Sequence, residues 1–258
     1  AALMTAIPFA VTGWLFPDMD KLCWMLTGMI GPFCCILMMK AYRESFLALV
    51  KSPQYILGLV ALFCYVGMQI AVWTWMNAYG QKELGVAPDV SANYYILAIA
   101  IHIANCWGGS YAMKWIAPWK IMAAYCVLGA MCCFGTIYLP STVVFTACGV
   151  PFSWNILCLM GISLFMAILF PTIYGIALGG LDSKSVKLGA AGLIMAILGG
   201  AVITPWMADV ISAKESIFFS LVPMMDFTWD ANLRTSSGAI RASFFIPVIC
   251  FAVMFIYA

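Results

Sequence analysis

Long apolar stretches without a single charge follow one another along this chain, and short segments between them carry its Lys, Arg, Asp and Glu residues. A charge near the bilayer centre costs roughly 2.5 to 3.5 kcal/mol on insertion scales, so uncharged runs of about 20 residues indicate membrane-spanning helices. The runs cover residues 22–39, 52–81, 90–113, 121–139, 152–178, 188–208 and 242–258. This pattern predicts six or seven helices joined by short polar turns, which is an all-α polytopic membrane protein.

Composition supports the membrane as the solvent. Of the 258 residues, 65% are hydrophobic and 9% are charged, and the mean hydropathy is +1.03, whereas roughly a quarter of a soluble domain is charged. These values exclude a water-soluble globule and indicate a lipid bilayer as the partner. The formal net charge is +2 and no run of Lys and Arg is present, so we expect no nucleic-acid partner.

The chain lacks the patterns of common enzymes and metal sites. We find no G-x-S-x-G, P-loop, dinucleotide-binding or H-E-x-x-H motif, and no acidic residue lies at the middle of a predicted span. With one histidine, His102, and no C-x-x-C, the chain offers no set of zinc ligands. The eleven cysteines lie mostly inside apolar runs, which favours buried thiols over disulfides. We expect no catalytic residues, no metal and no cofactor.

Lysine and arginine positions suggest an orientation. If the loops alternate between the two sides of the membrane, seven of the 12 Lys and Arg residues lie on one side and five on the other. Part of the group of five belongs to a long loop, 213–241, where positive residues influence orientation less than they do in short loops. Positive residues in short loops favour the cytoplasm, so we place the connector 40–53 inside. Its mixture of charged and apolar residues suits an interfacial amphipathic helix, although an ordinary linker between helices fits nearly as well.

A polar stripe in the run 52–81 is the first candidate site. Gln69, Trp73 and Asn77 follow at intervals of four residues and therefore share one helix face, with Tyr65 one turn earlier. Amides facing lipid would lack hydrogen-bond partners, so this face is expected to point at another helix or at a wet cavity. Amides and an indole ring suit a neutral polyol. Hydrogen bonding between helices without a ligand is the alternative.

Two further runs carry candidate residues. His102 and Asn105 share a face of the run 90–113, where the histidine suits a substrate contact, a proton relay or structural pairing. In the run 152–178, Phe170 precedes Pro171 and Tyr174 follows one turn later. Since proline removes a backbone donor and bends helices, these aromatic rings suit either a cavity wall or a lipid-facing surface.

Several motifs resemble one transporter family. The sequence from about Leu57 to Ala258 is similar to the fucose-galactose-glucose:proton symporter family of the major facilitator superfamily, and especially to its L-fucose-transporting members. The similarity is carried by A-L-F-C-Y-V-G-M-Q at 61–69, S-A-N-Y at 91–94, I-A-P-W-K-I-M-A-A-Y at 116–125, S-L-F-M-A-I-L-F-P-T-I-Y at 163–174 and I-L-G-G-A-V-I-T-P-W-M-A-D at 197–209.

The resemblance implies a fold of twelve helices in two halves. Residues 1–39 would be the end of the N-terminal half, 40–53 the cytoplasmic central linker and 54–258 the six-helix C-terminal half. Because the sequence begins with Ala1 instead of Met and ends at Tyr257-Ala258 inside an apolar run, we also expect it to be truncated at both ends. The proton-coupling carboxylates of the family belong to its N-terminal half, which agrees with the lack of mid-span acids here.

The resemblance also points to particular residues. Trp73 would match a tryptophan of the cavity-lining first helix of this half. Phe170 stands where the L-fucose-transporting members have tyrosine, and Asn105-Cys106 replaces a Gly-Arg pair. Strict fucose specificity is therefore not expected.

We expect an integral multi-pass protein of the cell (inner) membrane, acting as a monomer. Its function would be transport of a monosaccharide, fucose or a neutral hexose, with a proton as the coupling ion, by alternating access. A facilitator of another small solute and a non-transporting structural membrane subunit are the alternatives. The substrate-binding candidates are Tyr65, Gln69, Trp73, Asn77, His102, Asn105, Phe170 and Tyr174.

Overall fold

Helices dominate the computed structural model, which describes residues 40–147, 149–213, 217–221 and 237–258. The helices are α1 (Lys40–Lys51), α2 (Pro53–Leu84), α3 (Pro88–Ala112), α4 (Pro118–Tyr138), α5 (Trp154–Met166), α6 (Leu169–Leu178), α7 (Ser183–Met195), α8 (Gly199–Ser212), α9 (Ile217–Ser220), α10 (Ser237–Ser243) and α11 (Phe245–Tyr257). A 3-10 turn, Ala196–Leu198, joins α7 to α8. The predicted helix at 22–39 lies outside the described residues.

Five segments of the described chain are long and apolar enough to cross a membrane: Pro53–Leu84, Pro118–Tyr138, Trp154–Leu178, Ser183–Ser212 and Gly238–Tyr257. Helix α3 is not among them, although its 25 residues give a length of about 37 Å. Asn93, His102 and Asn105 interrupt its apolar sequence. The expectation of an all-α polytopic membrane protein is confirmed.

Prolines mark where three helices begin. Pro53, Pro88 and Pro118 are the first residues of α2, α3 and α4, positions where the missing N–H of proline costs no helical hydrogen bond. The predicted bounds of these helices agree with the structure within a few residues. Helix α2 continues beyond the predicted end at 81 to Leu84, because its last turn carries Glu83, which binds another helix.

A β-hairpin occupies part of the stretch that was expected to be a polar turn between helices. Strand β1 (Val143–Ala147) pairs antiparallel with β2 (Val150–Ser153). The sequence V-V-F-T of β1 consists of β-branched and aromatic residues that favour strands. Gly149 has a φ of +79° in the connecting turn, a conformation that glycine adopts without steric cost.

Part of the predicted loop 213–241 is helical. Helix α9 lies inside it and α10 begins inside it at Ser237, so the expectation of a loop is wrong for these residues. The charge of Arg241 had suggested that the last helix begins after it. In the structure Arg241 lies inside α10, where Ala239 and Ile240 are buried and Glu83 binds the guanidinium. The pairing allows a charged residue in this buried helix.

Backbone contacts divide the described residues into two compact units. The first consists of 40–59 and 176–195, where α1 packs against α7. The hydroxyl of Tyr55 donates to the carbonyl oxygen of Gly189 at 3.0 Å. Leu49 is 2% exposed, which agrees with an amphipathic α1.

The second unit consists of the described residues within 60–175 and 196–258, and it contains all the candidate site residues. Helix α5 packs against α3 and α4, and α4 packs against α11. Helix α8 approaches α2 closely, because a Cβ added to Gly199 would lie 2.1 Å from the carbonyl oxygen of Phe63. This packing places α2, α3, α5 and α6 around the candidate site.

Candidate functional site

A cavity of about 290 Å³ lies against α2, α3 and the junction of α5 and α6. Tyr65 and Gln69 of α2, His102 of α3, and Phe170 of α6 are among its lining residues. The ring centroids of Tyr65 and Phe170 are 5.9 Å apart. Phe170 stacks on Tyr174 with ring centroids at 6.0 Å and an angle of 16° between the ring planes. Polar groups and aromatic rings thus meet in one cavity.

A second cavity, of about 310 Å³, is lined by Trp73 and Asn77 of α2 and by Tyr95 of α3, among others. Within the described residues, the side-chain oxygen of Asn77 is buried and has no hydrogen-bond partner. A buried acceptor without a partner is unfavourable by roughly 1 to 3 kcal/mol. This oxygen is therefore free to accept a hydrogen bond from a ligand hydroxyl.

Trp73 and His102 connect the two cavities. Their rings meet edge to face with centroids 5.3 Å apart, and Trp73 lines one cavity while His102 lines the other. The indole Nε1 of Trp73 also donates to the hydroxyl oxygen of Ser163 at 3.2 Å. The polar stripe of α2 is thus shared: Gln69 borders the first cavity, whereas Trp73 and Asn77 border the second.

The imidazole of His102 has a defined hydrogen-bonding pattern. Its Nδ1 lies 3.1 Å from the carbonyl oxygen of Ser163. A carbonyl oxygen only accepts hydrogen bonds, so Nδ1 carries the proton and donates. In the neutral ring the other nitrogen, Nε2, is then an acceptor. His102 therefore offers an acceptor, rather than a charge, to the cavity that it lines.

Asn105 is occupied by contacts between helices. Its amide nitrogen donates to the carbonyl oxygen of Leu164 at 2.7 Å and to the hydroxyl oxygen of Tyr125 at 3.2 Å. It is not among the residues that line the first cavity. Hydrogen bonding between helices therefore describes the contacts of Asn105 better than direct contact with a ligand.

The sequence interpretation missed several residues of the site, including Tyr95, Cys106, Ser110 and Ser163. Three of them lie on α3 at 95, 106 and 110, which is the helix face of His102, because the intervals are seven, four and four residues. This periodicity was a usable signal. The role of Ser163 as a partner of Trp73 and His102 depends on tertiary contacts alone.

The cavity walls suit a neutral ligand. Among the described residues that line the two cavities there is no Lys, Arg, Asp or Glu. In the described ranges, no three His, Cys, Asp or Glu side chains lie together as metal ligands would. A nearby groove of about 420 Å³ shares Cys106 and Ser110 with the first cavity and includes Lys114. Hydrogen-bonding side chains and aromatic rings therefore dominate the site.

Comparisons with known proteins identify relatives of this chain. An L-fucose-proton symporter of Haemophilus influenzae is 32% identical over 217 residues, which are 84% of this chain and 44% of that protein. The L-fucose-proton symporter of Escherichia coli is 26% identical over 219 residues, or 84% of this chain and 42% of that protein. A glucose/galactose transporter of Brucella abortus is 26% identical over 211 residues, covering 78% of this chain and 41% of its own length.

Solved structures show the same fold. A crystal structure of the E. coli fucose:proton symporter FucP matches 91% of this chain and 53% of its own chain, with a TM-score of 0.64 and 23% identity. FucP, a major facilitator superfamily transporter, also matches in an outward conformation at a TM-score of 0.64 and 21% identity, over 94% of this chain and 58% of its own. This chain is a relative of these sugar transporters and has the major facilitator fold. No protein-family model matches it.

The relatives confirm the resemblance inferred from the motifs, and the protein is an integral, multi-pass membrane protein. The chain spans less than half the length of the curated relatives described above. The fold accounts for the position of the cavities, since sites in such transporters lie between helices near the middle of the membrane.

Proposed function

We propose that the protein is a secondary active transporter of a monosaccharide, fucose or a neutral hexose, and that a proton is the coupling ion. In this proposal 40–53 is the cytoplasmic central linker and 54–258 is the C-terminal half, which moves against an N-terminal half as the site alternates between the two sides. The protein acts as a monomer in the bilayer. It performs no covalent chemistry and is not an enzyme.

One observation carries the proposal: the first cavity combines hydrogen-bonding groups with aromatic rings in a neutral setting. Gln69 offers a donor and an acceptor, and His102 offers an acceptor through Nε2. The rings of Tyr65 and Phe170 cover apolar surface, as the C–H faces of a pyranose require. The volume of about 290 Å³ is near the lower end of the roughly 300 to 1,000 Å³ typical of small-molecule sites.

The relatives support the choice of substrate class. Two of them are named as L-fucose-proton symporters and one as a glucose/galactose transporter. The shared requirement of these sugars is a set of hydroxyl groups on a ring, which the neutral cavity wall meets. Asn77 adds a buried acceptor in the second cavity. Together the two cavities provide contacts to more than one hydroxyl.

A facilitator-type transporter is the second candidate. Among the described residues, the acids inside the membrane spans, Glu83 and Asp209, lie near the ends of their spans, and Glu83 is bound to Arg241. The described spans therefore show no acid at mid-membrane that suits proton coupling. A facilitator needs no such acid. A coupling group outside the described residues would distinguish the two, and so would the response of transport to a proton gradient.

The test is uptake of labelled sugars by vesicles that contain the protein. We expect accumulation driven by an imposed proton gradient and abolished by a protonophore. Equilibration without accumulation would favour the facilitator, and no uptake of any sugar would contradict both.

Gln69→Leu keeps most of the side-chain volume but removes both polar groups, and it should weaken sugar binding about two- to tenfold. Asn93→Leu is the control, because Asn93 is exposed and bonds its own helix at Asp89. Equal effects of the two changes would argue against a sugar contact for Gln69.

A further inference from the structure

The span Trp154–Leu178 is interrupted at Ala167 and Ile168, between α5 and α6. At this break the amide of Ala167 donates to the carbonyl oxygen of Leu164 at 3.3 Å, three residues back, instead of to Ser163, four residues back. Pro171 has no N–H, so it cannot donate to Ala167, the residue four positions before it. The carbonyl groups of Ser163 and Ala167 therefore lack their helical donors, which is costly in a membrane.

Side chains of α3 supply the missing donors. Nδ1 of His102 lies 3.1 Å from the carbonyl oxygen of Ser163, and the thiol of Cys106 donates to the carbonyl oxygen of Ala167 at 3.2 Å. Between them, the amide of Asn105 donates to the carbonyl oxygen of Leu164 at 2.7 Å. All three side chains lie within little more than one turn of α3, so one helix face follows the irregular backbone of its neighbour.

We propose that His102, Asn105 and Cys106 are positioning residues that hold the break between α5 and α6 in place, with the Cys106 thiol substituting for the backbone donor that Pro171 lacks. The break sets the position of Phe170 and Pro171, both of which line the first cavity. The thiol thus fixes part of the wall against which a sugar would bind. The consequence for sugar binding rests on the proposed function, whereas the hydrogen bond does not.

A double-mutant cycle between Cys106 and Pro171 tests the substitution directly. Pro171→Ala restores an N–H four residues after Ala167, which can then donate to the Ala167 carbonyl. We expect Cys106→Ala to lower the thermal midpoint of the purified full-length protein by about 2 to 4 °C. The same change should have little effect when Pro171 is already alanine. Equal shifts in both backgrounds would overturn the proposal.

Two variants make the cycle specific. Cys106→Ser keeps a donor at the same position and should recover most of the stability that Cys106→Ala loses. Cys158→Ala is the matched control, since Cys158 is another half-buried cysteine, on α5 beside Gly135. It should lower the midpoint equally in the two backgrounds. If Cys106→Ser recovers no stability, the loss caused by Cys106→Ala comes from packing and not from a hydrogen bond.

Infrared spectroscopy reports the bond without relying on stability. A thiol that donates to a carbonyl has an S–H stretching band at lower frequency than a free thiol. The difference spectrum between wild type and Cys106→Ala should contain such a low-frequency band. A band at the frequency of a free thiol would contradict the proposal, and this measurement remains decisive if Pro171→Ala does not fold.

Sugar binding completes the test. Cys106→Ala should raise the dissociation constant for L-fucose or glucose about two- to fivefold, and Cys106→Ser should restore it. If neither sugar binds to the wild-type protein, the proposed function fails while the cycle and the spectrum still decide the role of the thiol. If sugar binds normally to Cys106→Ala despite the loss of stability, the thiol does not position the cavity wall.

Discussion

Arg241 binds Glu83 across 158 positions of the chain, and its Nε donates to the Glu83 carboxylate at 2.8 Å. The guanidinium also donates to the carbonyl oxygens of Ile137 at 3.3 Å and Leu139 at 3.0 Å, and to the hydroxyl oxygen of Ser141. The side chain of Glu83 is 2% exposed and that of Arg241 12%. The ends of α2, α4 and α10 are thus joined at one buried pair.

Removing one charge of this pair is expected to destabilise the protein strongly. Glu83→Gln leaves a buried guanidinium without its counter-charge, which costs about 3 to 5 kcal/mol in comparable sites. The thermal midpoint in detergent or nanodiscs should fall accordingly. The double change Glu83→Gln with Arg241→Met should recover part of the loss, since it removes both charges. A double variant that is less stable by the sum of the single losses would show that the two residues do not interact.

His102 is not expected to be the main proton-coupling group. Its Nδ1 proton is committed to the Ser163 carbonyl, and in the part of the chain that the structure describes no Asp or Glu lines the cavity beside it. His102→Gln should therefore leave uptake that still responds to a proton gradient. His102→Asn places an amide near the position of Nδ1 and should be the less damaging change. Complete loss of proton dependence with intact sugar binding would contradict this prediction.

Selectivity should favour neutral hexoses at least as much as L-fucose. The resemblance implies that Phe170 stands where the L-fucose-transporting members of the family have tyrosine, and that Asn105-Cys106 replaces their Gly-Arg pair. On that basis two hydrogen-bond donors are missing. A net hydrogen bond contributes about 0.5 to 1.5 kcal/mol, and about 1.5 to 3 kcal/mol when one partner is charged. The structure gives no compensation from Asn105, whose amide nitrogen already binds Leu164 and Tyr125.

Competition of unlabelled glucose, galactose and L-fucose against a labelled sugar measures this selectivity. We expect glucose or galactose to compete at least as well as L-fucose. Phe170→Tyr should move the preference toward L-fucose by restoring a hydroxyl, with Phe165→Tyr as an aromatic control on α5, outside the lining of the first cavity. L-fucose outcompeting both hexoses tenfold in the wild type would contradict the prediction.

Asp182 caps the start of α7 and should confer a pH-dependent contribution to stability. Its carboxylate accepts hydrogen bonds from the backbone amides of Lys184 at 3.2 Å and Ser185 at 3.4 Å. Hydrogen bonding from the Ser185 side chain and from these amides lowers the pKa of Asp182 below its ordinary value of 3.8. A lowered folded-state pKa means that the contribution is present above the unfolded value and is lost as the pH falls through the folded one.

Thermal midpoints measured from neutral pH down to about pH 3 test this cap. Asp182→Ala should be less stable than wild type at neutral pH, and the difference should shrink in acid as the wild-type carboxylate is protonated. Asp182→Asn keeps a capping oxygen without a charge, so it should remain near wild type. A constant difference between Asp182→Ala and wild type at every pH would show that the charge does not contribute.

The sequence alone was sufficient for the class of fold and for most helix positions. The free energy of placing a charge in lipid depends on local composition, so uncharged runs reveal the spans without tertiary information. The structure begins α2, α3 and α4 at Pro53, Pro88 and Pro118, for an equally local reason, close to the starts at 52, 90 and 121 that the uncharged runs predicted. The periodicity of α2 also brought Tyr65, Gln69, Trp73 and Asn77 onto one face, since helical geometry depends only on spacing.

Other features depended on which segments meet. The charge of Arg241 predicted a loop, because its partner Glu83 is 158 positions away and no local pattern reveals the pairing. The hairpin of β1 and β2 was missed since its strands are short and lie between two apolar runs. Only the tertiary structure divides the α2 stripe between two cavities and commits Asn105 to Leu164 and Tyr125. Backbone carbonyl groups left without donors by a helix break must find donors on a neighbouring helix. His102, Asn105 and Cys106 supply them because α3 packs against α5, and the spacing of residues along the sequence does not reveal which helices pack together.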